Sequence, residues 1–185
     1  MINLAPYEIF ILSSAKKYSV PSEIIKAIII QESSGRPGAY REEKKIKDAS
    51  RGLMQILLGT ARQLGFSGPP DDLFSPEINI DLGTKYLAYQ FSRYQNWDDA
   101  FAAYNSGSVI RRKDGARINQ PYVDAVRAKL RALVSGAYGY IGAQATRGVD
   151  GILNTGKIPS IENLSALKSF LPIIFLFAIA ILILK

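Results

Sequence analysis

A mainly α-helical domain is what this chain predicts, with a possible small β element in its first third and a hydrophobic helix at its C-terminus. Three observations carry that reading. Apolar residues recur at helical spacing over most of residues 1–134, with breakers such as Gly68-Pro69-Pro70 and Gly107 between the periodic segments. An isoleucine-rich run, Ile24 to Ile30, is apolar nearly all round, as in a helix buried within a domain. Phe170 to Leu184 is apolar on every side and is flanked by Lys168 and Lys185.

The elements follow in order. The first predicted helix covers Pro6–Tyr18. The second covers Ser22–Ser34: Pro21 suits a helix start, and Gly35 is a natural stop. A β-hairpin or ribbon near residues 40–52 is permitted but not demanded. Further helices are predicted over Leu53–Leu64, Pro76–Tyr94, Trp97–Tyr104 and Pro121–Val134. No internal repeat is present. Residues 135–160 carry glycines at 136, 139, 142, 148, 151 and 156 among small and polar residues, and read as a linker. Residues 161–185 read as a transmembrane or membrane-associated helix. Fifteen residues of helix span about 22 Å, and adding Leu164 to Ser169 with a snorkelling lysine approaches the ~30 Å hydrocarbon core.

Composition narrows the chemistry. The 185 residues contain no cysteine and no histidine. That excludes disulfides, Cys-ligated metals, and Ser-His-Asp or Cys-His catalysis; no metal or cofactor is expected. Carboxylate chemistry remains. The net charge is +7, and residues 1–134 hold 19 Lys and Arg against 14 Asp and Glu, a net +5. A basic surface suits an anionic polymer or membrane phosphate. Nucleic acid is disfavoured, because basic and aromatic residues are not interleaved as a stacking platform needs. The densest basic run, Arg111-Arg112-Lys113 with Arg117, reads as an exposed loop.

The leading candidate for catalysis is Glu32. It shares a helical stripe with Ile25, Ile28 and Ile29, so its carboxyl should emerge where a hydrophobic helix meets a cleft. Partial desolvation and the negative end of the helix dipole both disfavour its charged form. Such a carboxyl suits general acid work in glycoside cleavage near neutral pH. A solvated last-turn glutamate is the bland alternative. Gly52-Leu53-Met54-Gln55-Ile56 offers an amide that donates and accepts, at Gln55, and a soft apolar surface, at Met54. Alone it also reads as the start of a core helix. Tyr104 could hold a carboxyl group through its hydroxyl, or sit buried with that hydroxyl satisfied; Asn105 could bind sugar or cap a turn.

Taken together, Glu32-Ser33-Ser34-Gly35, Gly52-Leu53-Met54-Gln55-Ile56, Asn79-Ile80-x-x-Gly83, Ala103-Tyr104-Asn105 and Tyr122-Val123 occur in an order that resembles the catalytic domain of soluble lytic transglycosylases. The likeness runs from about residue 3 to residue 134. It implies a lysozyme-like fold and cleavage of the β-1,4 bond between N-acetylmuramic acid and N-acetylglucosamine in peptidoglycan. It implies Glu32 as sole acid/base, no cofactor, and a non-hydrolytic 1,6-anhydro product. It also implies that Met54, Gln55, Tyr104 and Asn105 line the sugar groove; Ser33, beside Glu32, is placed with them. Asn79 is expected to be structural.

Arg41 to Asp48 departs from the family, which has a shorter link there carrying a substrate-holding serine. Ser50 is a weak candidate for that serine, and the charged link reads as a solvated loop. Most glycosidases use two carboxylates, and the nearest second one in sequence is Asp48. Goose-type lysozymes, distant relatives, carry aspartates in this region, so Asp48 could position a water in a hydrolytic alternative. The first eight residues show no signal-peptide pattern. With the apolar tail, this points to a membrane-associated protein of a phage virion, meeting other virion proteins and acting on the host wall in the periplasm. The competing reading is a non-enzymatic, membrane-anchored structural virion protein.

Overall fold

The structure, a computed structural model, describes residues 2–135. A 3₁₀ turn at Ala5–Tyr7 leads into α1, Glu8–Tyr18, which stops where Ser19 turns into the left-handed region. Helix α2, Ser22–Ser33, follows directly after Pro21, whose fixed φ suits a helix start. Ser34 and Gly35 both have positive φ, so the chain leaves α2 sharply, one residue before the predicted end. Ile25, Ala27, Ile28 and Ile29 are fully buried. They form the centre of the core, as the all-round apolar run requires.

The ribbon exists and is larger than expected. Strands β1 (Tyr40–Glu43), β2 (Asp48–Arg51) and β3 (Ile56–Leu57) form an antiparallel sheet in that order, with Arg41 opposite Ser50 and Ser50 opposite Leu57. Helix α3 covers only Leu58–Gln63. The predicted start at Leu53 is therefore corrected: residues 52–55 form a tight turn. Gly52 and Gln55 both have positive φ, at 76° and 49°, which no right-handed helix permits.

After a 3₁₀ turn at Pro70–Phe74 comes α4, Pro76–Tyr94, the longest helix among the described residues, which packs on α1 and α5. Helix α5, Trp97–Ser106, is capped by the Asn96 side chain, which accepts from the Asp99 N–H. It runs two residues beyond the prediction. A loop with an Arg111–Arg117 bridge leads to α6, over 120–135. The basic loop is only partly free in solvent. Arg111 and Arg117 bond to Asp99, and Arg127 of α6 bonds to Asp98, so the loop and α6 are both tied to the start of α5.

Apart from Ser135, which is helical and belongs to α6, the predicted linker, 135–160, and the predicted membrane helix, 161–185, lie outside the described residues. Among the described residues no helix is long and apolar enough to cross a membrane.

Candidate active site

The site is built around the 52–55 turn. Its seat is one face of α4. Asn79 and Gly83, one turn apart, both touch it. Asn79 is fully buried and makes three bonds: its Oδ1 accepts from the Met54 N–H at 2.7 Å, and its Nδ2 donates to the carbonyls of Arg51 at 2.8 Å and Leu73 at 2.7 Å. A Cβ on Gly52 would lie 2.4 Å from Asn79 Nδ2, and one on Gly83 would lie 2.5 Å from the Met54 sulfur. Both glycines are required by close approach. The structural role expected of Asn79 is the one its geometry shows.

The turn presents Gln55 to a cleft of about 520 Å³, into which Glu32 also opens. Gln55 Nε2 donates to the carbonyls of Ala39 and Gly52, which locks the amide, and its Oε1 accepts from none of the described residues. Tyr86, Tyr89, Gln90, Tyr104 and Asn105 close the far wall. Asn105 is exposed there, and its Oδ1 accepts from Asn119.

Glu32 stands at the end of α2, half-buried. Burial pushes its carboxyl up from the ordinary carboxylate range, against the opposing pull of a hydrogen bond from Tyr122 and the positive charge of Arg41. The Tyr122 hydroxyl donates to Glu32 Oε1 at 2.5 Å. Its own ionisation is pushed well up by burial and by the Glu32 charge. Tyr122 therefore stays a neutral donor, and Glu32 Oε2 bonds to none of the described residues.

Several sequence expectations are corrected. Met54 is fully buried against Gly83 and Thr84, so it shapes the turn from beneath and offers no surface to a sugar. Ser33 is also buried, and its hydroxyl donates back to the Ile29 carbonyl. Tyr104 does not hold the acid. Its hydroxyl donates to the Met54 carbonyl at 2.8 Å, while its ring lies 5.2 Å from that of Tyr86. The hydroxyl that does hold Glu32 belongs to Tyr122, which sequence reasoning had only as part of a motif order.

Asp48 faces away from the cleft. Its carboxylate accepts from the N–H groups of Ala49, Leu58 and Gly59 and lies near Arg51. It fixes the first turn of α3. Burial raises its pKa, but the three N–H bonds and Arg51 outweigh that and hold it below the usual range. A second carboxylate does line the cleft: Glu43 of β1, with Arg41 and Ser50 beside it. The alternation of β1 would have revealed it, since Arg41 and Glu43 share a face.

A mainly helical domain with a small ribbon and one desolvated, tyrosine-held carboxyl over a polar groove defines a class of lysozyme-like sites. The chain belongs to the transglycosylase SLT domain family, which it matches over residues 10–121. It is 38% identical over 86 residues to membrane-bound lytic murein transglycosylase E of Buchnera aphidicola, covering 43% of this chain and 37% of that protein. It is 36% identical over 115 residues to membrane-bound lytic murein transglycosylase C of Shigella sonnei, covering 53% and 31%. The crystal structure of the 70 kDa soluble lytic transglycosylase of Escherichia coli superposes with a TM-score of 0.51 at 31% identity, covering 57% of this chain and 17% of that one. The chain thus corresponds to little more than a third, or less, of the length of each of these relatives.

Proposed function

We propose that this protein cleaves peptidoglycan glycan strands between N-acetylmuramic acid and N-acetylglucosamine, with Glu32 as the only acid/base. The carrying observation is the Glu32 carboxyl itself, raised by burial, held through Oε1 by Tyr122 and open to a polar cleft. Family membership and relatives that are lytic murein transglycosylases by name support the substrate.

Glu32 delivers its proton to the glycosidic oxygen as the bond from that oxygen to C1 breaks. The 2-acetamido oxygen of the muramic residue closes onto C1 in place of the leaving group. The Glu32 carboxylate, stabilised by Tyr122, then takes the proton of the 6-hydroxyl, whose oxygen displaces the acetamido oxygen from C1. The product is a 1,6-anhydro sugar and no water is consumed. The hydrolytic alternative through Asp48 is not favoured, because that carboxylate is bonded to backbone N–H groups outside the cleft.

Purified cell-wall sacculi digested with the full chain, followed by mass spectrometry, test this. Anhydro termini are expected. Termini one water heavier would mark hydrolysis, and intact sacculi would remove the enzymatic reading.

The cellular setting is part of the same proposal: a phage virion protein that opens the wall locally during infection, carried to a membrane by its C-terminal segment. The support is in the sequence, where the apolar run from Phe170 to Leu184 follows a basic domain. Residues 161–185 fused to a soluble reporter should partition into membranes; a reporter that stays soluble would end the anchor reading.

A further inference from the structure

We propose that Glu43 is the residue that grips the acetamido N–H of the sugar being cut and aims its carbonyl oxygen at C1. This rests on the substrate-assisted cleavage proposed above and adds a second working carboxylate to it.

The placement follows from the strand. β1 sends Arg41 and Glu43 to the cleft that holds Glu32, while Tyr40 and Glu42 line a separate depression on the other face of the ribbon. Glu43 is held on two sides. Its Oε1 accepts from Arg41 Nε at 2.6 Å and from the hydroxyl of Ser50, a buried residue of β2, at 3.1 Å. Its Oε2 accepts from none of the described residues, and the side chain is 29% exposed. The result is a carboxylate on the cleft wall, fixed through one oxygen and with the other unengaged by the described residues.

The reaction needs such an acceptor. As the acetamido oxygen bonds to C1, positive charge spreads onto the amide nitrogen and its N–H becomes a stronger donor. A preorganised anion facing that N–H acts most strongly when the charge has developed. The other acceptors lining the cleft are weaker candidates. Gln90 Oε1 and Asn105 Oδ1 are engaged by Arg93 and Asn119, and the Oε1 atoms of Gln55 and Gln63 carry no full charge. No atom of Glu43 is consumed: its carboxylate accepts the N–H bond, and that proton stays on nitrogen throughout.

The test compares the full-length wild type with Glu43→Gln, which keeps the shape and removes the charge, and Ser50→Ala, which loosens the grip. The binding probes are the 1,2-fused thiazoline of N-acetylmuramic acid, whose ring nitrogen, protonated beside a carboxylate, places an N–H where the amide N–H stands, and chitotetraose, which lacks the cyclised ring. Hydrogen bonds to charged groups are worth about 1.5–3 kcal/mol, or roughly 10- to 100-fold. Glu43→Gln should lose about that factor in kcat and in thiazoline affinity, with KM and chitotetraose affinity within about three-fold. Ser50→Ala should move the same two quantities by less. Equal thiazoline affinity in wild type and Glu43→Gln would overturn the assignment. So would wild-type reducing-end products that Glu43→Gln abolishes, since Glu43 would then serve a water. Glu32→Gln separates the two claims: if it stays active, the cleavage mechanism itself fails, whatever Glu43 does.

Discussion

Asn79 offers the sharpest test of how the site is built, because one buried amide holds three backbone groups from three segments. Asn79→Ala removes the acceptor for the Met54 N–H and the donor for the Arg51 and Leu73 carbonyls. Each buried polar group left without a partner costs about 1–3 kcal/mol. Partial relaxation, and water reaching the Arg51 side, bring the expected total to roughly 3–5 kcal/mol, a large share of the ~5–15 kcal/mol that stabilises a domain. Asn79→Asp is the more discriminating variant. It keeps the bond to Met54 but sets an oxygen against two carbonyl oxygens at 2.8 and 2.7 Å. An ionised aspartate there should destabilise at least as much as alanine at pH 7. A protonated one can donate to one carbonyl, so its folded-state pKa should rise and the variant should regain stability as pH falls. Urea unfolding at pH 5 and pH 7 reads both. A loss under about 1.5 kcal/mol for alanine, or an aspartate variant as stable as wild type at pH 7, would refute the seat assigned to Asn79.

Three further outcomes are expected. Glu32→Gln should lower wall cleavage by at least ~10²–10⁴-fold, as loss of a general acid does. Because the folded-state pKa of Glu32 is raised, ionisation works against the fold as pH climbs from the ordinary carboxylate range, so the Gln variant should gain Tm over wild type toward pH 8. Tyr122→Phe removes a donor to the ionised form, so the limb of the pH–rate profile set by Glu32 ionisation should move to higher pH; an unmoved limb would deny the contact its role. Asp48→Asn should cost about 1 kcal/mol through the first turn of α3. The stability Asp48 supplies is present above its unfolded pKa and lost as pH falls through its lowered one, so the cost should vanish in acid, while the product at neutral pH stays unchanged in kind.

What the sequence made legible is what local pattern controls. The isoleucine run fixes α2, and the stripe of Ile25, Ile28 and Ile29 brings Glu32 to the cleft, so the candidate acid could be singled out without a partner in view. The 52–55 turn could not. Its apolar residues look helical, and the deciding facts are a positive φ at Gln55 and an amide twenty-five positions away at Asn79. Tyr122 was hidden for the same reason, lying ninety residues from the carboxyl it holds. Tyr104 was the plausible substitute because a buried hydroxyl must bond something, and here it bonds the Met54 carbonyl. Glu43 lay in a charged stretch read as a solvated loop, where the alternation of Arg41 and Glu43 was the available signal.

These contacts also explain why the 52–55 turn and the acid belong to one machine. Tyr104 bonds the Met54 carbonyl from α5, Asn79 bonds the Met54 N–H from α4, and Tyr122 bonds Glu32 from α6. The two tyrosines are electrostatically linked through the same carboxyl, whose charge helps keep both hydroxyls protonated. The groove wall and the acid are therefore positioned by one buried layer of hydroxyls and amides. Such a layer strengthens its bonds by excluding water, and it makes each unpaired member costly. Glu32 is desolvated and held through Oε1 by Tyr122, while two acceptors of the same cleft, Glu43 Oε2 and Gln55 Oε1, are left unengaged by the described residues.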